Sequence, residues 1–355
     1  MGNPLDSIDR SEIERTIDLV VERTFSMDFR WDWPCGVAFY GIGKAWRATG
    51  KIGYMERLAA WVDEYVELGL PPFMVNAMAM GHCLLDLHDA TGEKKYLDLV
   101  LRKTEYLRAD ALRFGEGVLQ HTVSASNDFP GQAWADTLFM AALFLLRAGL
   151  KVGDRSLVTD ALAQYHWHEE LLQDPATDLY FHAWDQRSES HLSGQHWARA
   201  NAWAALTMAE ALRLINYMYP EFMEIEGSLR DQLAALARLQ TEAGLWRTIL
   251  DDPESYEETS ATAGIGTAMI LFGYPLHSRN IIRAYGGIMA NIDNAGSVHN
   301  VSAGTAVMAN RDDYRRVPRK RVQGWGQGLT LAFLSALLER ANSAESPASS
   351  KETVL

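Results

Sequence analysis

Apolar residues recur three or four positions apart along nearly the whole chain. The pattern is plain in "SEIERTIDLVVERTF", "YMERLAAWVDEYVEL", "TLFMAALFLLRAGL", "AWAALTMAEALRLINYM" and "LTLAFLSALLERA". This period marks helices that each bury one face. Strictly alternating segments of strand length are few and short, so helix must pack on helix. Two of the helical units are versions of one another. "RATGKIGYMERLAAWVDEY" and "DATGEKKYLDLVLRKTEYL" share Ala48/Ala90, Thr49/Thr91, Gly50/Gly92 and Tyr54/Tyr96 at one constant offset. A looser copy, "RAGLKVGDRSLVTDALAQY", starts at Arg147. In each, a helix stops at Gly, a short polar turn follows, and a second helix begins. That is one αα-hairpin per repeat.

An open solenoid wants a shorter and stricter period than this. A closed toroid of hairpins tolerates long insertions at one rim, where "HTVSASNDFPGQAW" and "DPATDLYFHAWDQRSESHLSGQHW" find a place. The expected fold is therefore all-α, a closed toroid forming one domain over residues 1–341. The polar tail "ANSAESPASSKETVL" suggests that residues 342–355 are disordered.

Composition narrows the partners. The formal net charge is −13, which argues against nucleic acid or an anionic membrane as a main partner. No apolar run approaches the roughly 20 residues of a membrane span. Cys35 and Cys83 are too few for a disulfide framework, and the first residues lack a secretory pattern. A cytoplasmic protein is expected. No CxxC, HExxH, P-loop or EF-hand pattern occurs, and His166 and His168 lie two apart on a helix, pointing away from each other. Neither a metal nor a cofactor is expected.

The chemistry gathers in four stretches. "SGQHWARANAWAAL" packs Trp197, Arg199, Asn201 and Trp203 at a helix start, where a helix entering a core needs no Arg between indoles. Aromatic faces with a planar fork of donors suit a sugar ring that carries a carboxylate. "WDWPCGVAFYGIGKAW" holds Trp31, Trp33 and Tyr40; "DLYFHAWDQ" holds Tyr180, His182 and Trp184. In "QHTVSASNDFPGQAWADTLFM", His121 precedes Trp134 and Asp136. Asp136 opens an otherwise apolar helix, so it reads as an N-cap, as an acid at the toroid's mouth, or as both, since the two readings are not exclusive. "GWGQG" follows no strand and points to close helix packing rather than to a dinucleotide loop. The basic run "RDDYRRVPRKR" reads as a solvated loop that could also lend a cation to an anionic substrate. The 11 Trp residues exceed what a core requires.

In order and separation, "GQAWADTLFMAALFL", "YFHAWD" and "HWARANAW" resemble the unsaturated glucuronyl and rhamnogalacturonyl hydrolases, glycoside hydrolase families 88 and 105, with 105 the better fit. The early W-x-W-x-x-G-V, "ETSATAGIGTAM" and "GWGQG" also match, so the resemblance covers most of the chain. It implies an (α/α)6 barrel that removes a terminal 4,5-unsaturated uronic acid from oligosaccharides made by a polysaccharide lyase. By the same resemblance Asp136 is the catalytic acid, and Trp33, His121, His182, Trp197, Arg199 and Trp203 are substrate-pocket residues. Asn76 stands where the family commonly has Asp; Ala200 and Ala202 stand where Gly is usual. One acid suffices if the reaction is hydration of a vinyl ether, a chemistry that tolerates Asn76. For that work at neutral pH, burial is expected to raise the Asp136 pKa. A sugar epimerase using His121 and His182, or a non-catalytic carbohydrate-binding protein, are the alternatives.

Overall fold

The computed structural model describes residues 8–124 and 126–345, and among these helices alternate between two concentric rings. The inner ring consists of α2 (Trp33–Thr49), α4 (Met80–Thr91), α6 (Leu143–Val152), α8 (Ala198–Leu214), α10 (Thr259–Leu271) and α13 (Gly324–Glu345). The outer ring consists of α1 (Arg10–Phe25), α3 (Gly53–Leu68), α5 (Lys94–Ala109), α7 (Arg155–Leu172), α9 (Phe222–Leu239) and α11 (Ser278–Met289). Each inner helix packs on the next, and α13 returns to pack on α2, so the ring closes. The fold is an (α/α)6 toroid. A short helix, α12 (Arg311–Arg315), lies outside this alternation. The tail expected to be disordered begins inside α13, and from residue 346 onward it lies outside the described residues.

Burial separates the rings. From Ala198 to Ala211 every residue of α8 is buried, and from Thr259 to Ile270 every residue of α10 is too. Helices enclosed on all sides must approach closely, and small residues allow it. A Cβ on Gly328 would lie 2.0 Å from the Val37 carbonyl oxygen, and one on Gly264 would lie 2.9 Å from the Ala202 Cβ. The "GWGQG" stretch is therefore a packing device. Outer helices keep one wet face, and α5 buries Tyr96, Leu99, Val100, Lys103, Thr104 and Leu107 at helical spacing.

The repeated glycine has one job. Gly50, Gly92 and Gly153 end α2, α4 and α6 at φ of 71°, 72° and 72°, the left-handed cap that turns the chain outward. Each inner helix but the last is followed by an outer one that brings the chain back, so all six inner helices run the same way. Their C-termini meet at the glycine rim and their N-termini at the other mouth. Short antiparallel ribbons line that second mouth: β1 (Arg113–Phe114) with β2 (Val118–Leu119), β3 (Gln132–Trp134) with β4 (Ala183–Asp185), and β5 (Trp246–Arg247) with β6 (Glu257–Glu258).

Candidate active site

The helix N-termini deliver the side chains. Asp32 caps α2 by accepting a hydrogen bond from the Trp33 amide, 2.7 Å, and Pro34 follows at the start of the helix. Asn76 opens the short helical turn Asn76–Ala79 ahead of α4, and its amide donates to the Thr122 carbonyl. Asp136 stands just before a wide turn, Leu138–Ala142, that leads into α6. Trp197 precedes α8, and the Ala198 amide donates to the Thr248 carbonyl at 2.9 Å.

The β3–β4 ribbon brings two distant motifs together. Trp134 pairs with Ala183, and the Ala135 amide donates to the His182 carbonyl. Asp136 and His182 thereby become neighbours, with Oδ2 and Nε2 3.5 Å apart. Asn201, singled out between the indoles, faces inward instead. Its amide group bonds both the N–H and the C=O of Tyr180 at 2.8 Å, which clamps the strand leading to His182.

A cavity of about 190 Å³ opens here, lined by Trp33, Asn76, His121, Val123, Phe129, Trp134, Asp136, Trp197, Arg199, Gly304, Thr305 and Ala306. A wider groove of about 740 Å³ near Arg238 and Arg247 is shallow and holds no buried cluster of this kind. In the cavity His121 stacks on Trp134 with ring centroids 4.5 Å apart, and Trp33 stacks on Trp325 at 4.5 Å. His182 sits behind Asp136 and packs on Trp197 at 4.1 Å. Trp203 lies elsewhere: it is buried beneath the cavity against Phe139, 4.9 Å between centroids, because α8 is enclosed on every side. It belongs to the core under the site.

Arg199 is almost wholly buried, and its guanidinium lies 4.4 Å from the Trp197 ring centroid. Its terminal nitrogens are already engaged. One donates to the Ser302 hydroxyl and reaches Glu258 at 3.4 Å; the other donates to the Ala303 carbonyl at 3.0 Å and the Thr305 hydroxyl at 3.1 Å. Glu258 in turn accepts from the Ala261 and Ser302 amides. The irregular segment 302–306 thus forms a strap across the guanidinium, and it carried no periodic signal.

Electrostatics here differ from the expectation. Burial pushes the Asp136 carboxyl up, but His182, His121 and Arg199 together outweigh it and hold the group below its ordinary value. The free site therefore keeps a carboxylate, not a raised acid. Burial keeps both imidazoles neutral: it lowers His121 to about 4 and lowers His182 against the pull of Asp136. The N-cap reading of Asp136 is not borne out, since Thr137 takes the cap position of the Leu138–Ala142 turn and no side chain caps it. The Asp136 Oδ2 is buried with no hydrogen-bond partner. The His182 Nε2 facing it is likewise unpartnered. The two open atoms face each other, and Asp136 also lines the cavity.

A closed helical toroid whose mouth presents one unsatisfied carboxylate among stacked aromatics has the form of a carbohydrate-active enzyme. Residues 5–341 match the model of Glycosyl Hydrolase Family 88, and the chain belongs to that family of glycoside hydrolases. It is 53% identical over 332 residues to the unsaturated rhamnogalacturonyl hydrolase YesR of Bacillus subtilis, covering 93% of this chain and 96% of that protein. A crystal structure described as a possible member of the GH105 family, from Salmonella enterica, superposes with a TM-score of 0.89 at 27% identity, covering 94% and 95% of the two chains. The unsaturated glucuronyl hydrolase of Bacillus sp. GL1 shares the fold at 17% identity, with a TM-score of 0.70 over 93% and 95%.

Proposed function

We propose that this hydrolase removes the terminal 4,5-unsaturated uronic acid from oligosaccharides left by a polysaccharide lyase, with Asp136 handling the protons. One observation carries the reading. Asp136 is the single carboxylate among the described residues lining the cavity. Ordinary glycosidases need two. Hydration of a vinyl ether needs one: Asp136 gives a proton to C4, and water adds to the oxocarbenium-like C5. Asp136 recovers a proton from that water, and the hemiketal opens to expel the remaining sugar.

The surrounding groups suit an anionic sugar. Inner-helix N-termini point their positive dipole ends towards the mouth. The uronate carboxylate docks where the Arg199 guanidinium and the Thr305 hydroxyl meet, and Trp33, Trp134 and Trp197 wall the ring. Asn76 lies where its amide can hold water or Asp136. Substrate binding also supplies the missing proton affinity. A second carboxylate beside Arg199 cancels part of the positive field, and a filled cavity excludes water, so the Asp136 pKa rises in the complex. The relationship to a rhamnogalacturonyl hydrolase favours rhamnogalacturonan fragments, and hence pectin degradation, as the source of substrate. Two buried free thiols, Cys35 and Cys83, suit a reducing cytoplasm.

An epimerase's pair is disfavoured because His121 lines the cavity while His182 is not among the lining residues and sits behind Asp136. Incubation with an unsaturated rhamnogalacturonan disaccharide tests the proposal. Loss of the double bond's ultraviolet absorbance with release of free rhamnose is expected. Persistent absorbance with an isomerised sugar, or binding without turnover, would refute it.

A further inference from the structure

His182 is held from behind by a residue that the basic run concealed. Tyr314 is fully buried, and its hydroxyl lies 2.7 Å from His182 Nδ1 and 3.4 Å from the Ser193 hydroxyl. The surrounding run is built to keep it there. Asn310 caps α12, and Arg315 grips Asp252 with two bonds of 2.6 Å. On the far side of the ring, Nε2 faces Asp136 Oδ2 at 3.5 Å, and neither atom has another partner.

A neutral imidazole carries one proton, so the partner of one nitrogen decides what the other can do. If Nδ1 held the proton, the Nε2 lone pair would face a carboxylate oxygen. If Tyr314 donates to Nδ1, Nε2 carries the proton and can donate to Asp136. Only the second arrangement turns an N–H rather than a lone pair towards the carboxylate, along one directed line from Ser193 through Tyr314 and His182 to Asp136. We infer that Tyr314 is a positioning residue that fixes the Nε2–H tautomer of His182 and thereby aims a donor at the Asp136 carboxylate. This rests on the reading of Asp136 as the proton carrier. The charged and titratable groups facing the pair are His121 and Arg199, with Glu258 behind the guanidinium.

The test is nitrogen-15 NMR of the histidine side chains in the full-length protein, with His182 assigned by its absence in His182→Gln. Tyr314→Phe keeps the ring and removes only the hydroxyl. The wild-type protein is expected to show the Nε2–H form of His182, and Tyr314→Phe a mixture of tautomers. In the same variant kcat should fall about tenfold, the scale of one hydrogen bond, with KM unchanged. Its alkaline limb should move to higher pH, because Asp136 loses the donor that favours its ionised form. An Nδ1–H form in the wild type overturns the inference whether or not Tyr314→Phe folds. So does an unchanged His182 signal and pH profile in Tyr314→Phe. If Asp136→Asn stays active, the proposed function falls, while the tautomer measurement stands apart from it.

Discussion

Two polar clusters are buried inside the inner ring, one towards each end, and they differ in how fully they are satisfied. Towards the glycine rim, Asp86 accepts from Arg47 at 2.8 Å and Arg147 at 2.6 Å. Nearby Glu210 accepts from the Tyr40 hydroxyl at 2.9 Å and pairs with Lys44. His82 completes this cluster, taking a hydrogen bond from Arg147 at 3.0 Å and giving one to the Phe139 carbonyl at 3.0 Å. Arginine can only donate and a carbonyl can only accept, so the tautomer of His82 is fixed by its neighbours. At the opposite mouth, His182 has a hydroxyl on one side, which can do either, and an open carboxylate on the other. A network closed on itself holds helices together. One that ends in a carboxylate with no donor of its own leaves that group free to exchange a proton.

The largest effect that could break this comparison lies at Asp136. Asp136→Asn should reduce kcat by about 10²–10⁴-fold, the usual loss of a general acid, while the melting temperature holds or rises because an open buried charge is gone. Retention of a tenth of wild-type kcat would remove Asp136 from the proton transfer. Asp86→Ala should do the reverse. It leaves Arg147 and Arg47 without their shared carboxylate and should cost about 3 kcal/mol of stability, at the low end for a buried pair because Arg47 is partly exposed. Its kcat should stay within a few-fold of wild type at a temperature where it is folded. If Asp86→Ala abolishes turnover in folded protein, the two clusters are coupled and the division between them is wrong.

A smaller effect concerns the strap. Arg199→Lys turns a planar fork into a point charge and should raise KM about tenfold, roughly the value of one charged hydrogen bond. Thr305→Val should raise KM by less, with kcat little changed. Unchanged KM in both would mean that segment 302–306 and its guanidinium only close the wall.

The same contrast explains what the amino-acid sequence could reveal. Helical periodicity and the glycine at each hairpin are local signals, so the toroid was readable. Asp136 and His182 stood out because they interrupt apolar helical or aromatic stretches with titratable groups. Arg199 was conspicuous, but its partners were not: Ser302, Ala303 and Thr305 act through carbonyls and hydroxyls on a segment with no period. Tyr314 was hidden because it shares a run with five arginines, and a charged run reads as solvated. Trp203 misled in the opposite sense. Its spacing from Trp197 suggested a shared surface, whereas a helix enclosed on all sides buries an indole on whichever face it falls. The Asp136 pKa was misjudged because burial, visible as apolar flanks, raises it, while the histidines and Arg199 that lower it arrive from other parts of the chain.

That electrostatic balance yields the subtlest prediction, the difference between two pH profiles. In the free site the carboxyl lies below its ordinary value, held there by His182, His121 and Arg199 against burial. The acid step needs the protonated form. The profile of kcat/KM reports the free enzyme, so it should fall as pH rises through that low pKa, placing its alkaline limb on the acidic side. The profile of kcat reports the complex, where the substrate's carboxylate offsets Arg199 and water is excluded, so its alkaline limb should lie higher. The separation should be on the order of one pH unit, the scale of one neighbouring charge. In Arg199→Gln the free site lacks the guanidinium's pull, so the limb of kcat/KM should shift upward and the two limbs should draw together. Coincident limbs in the wild type would mean that substrate does not tune Asp136. The proton would then have to come from the small protonated fraction that the free enzyme already holds.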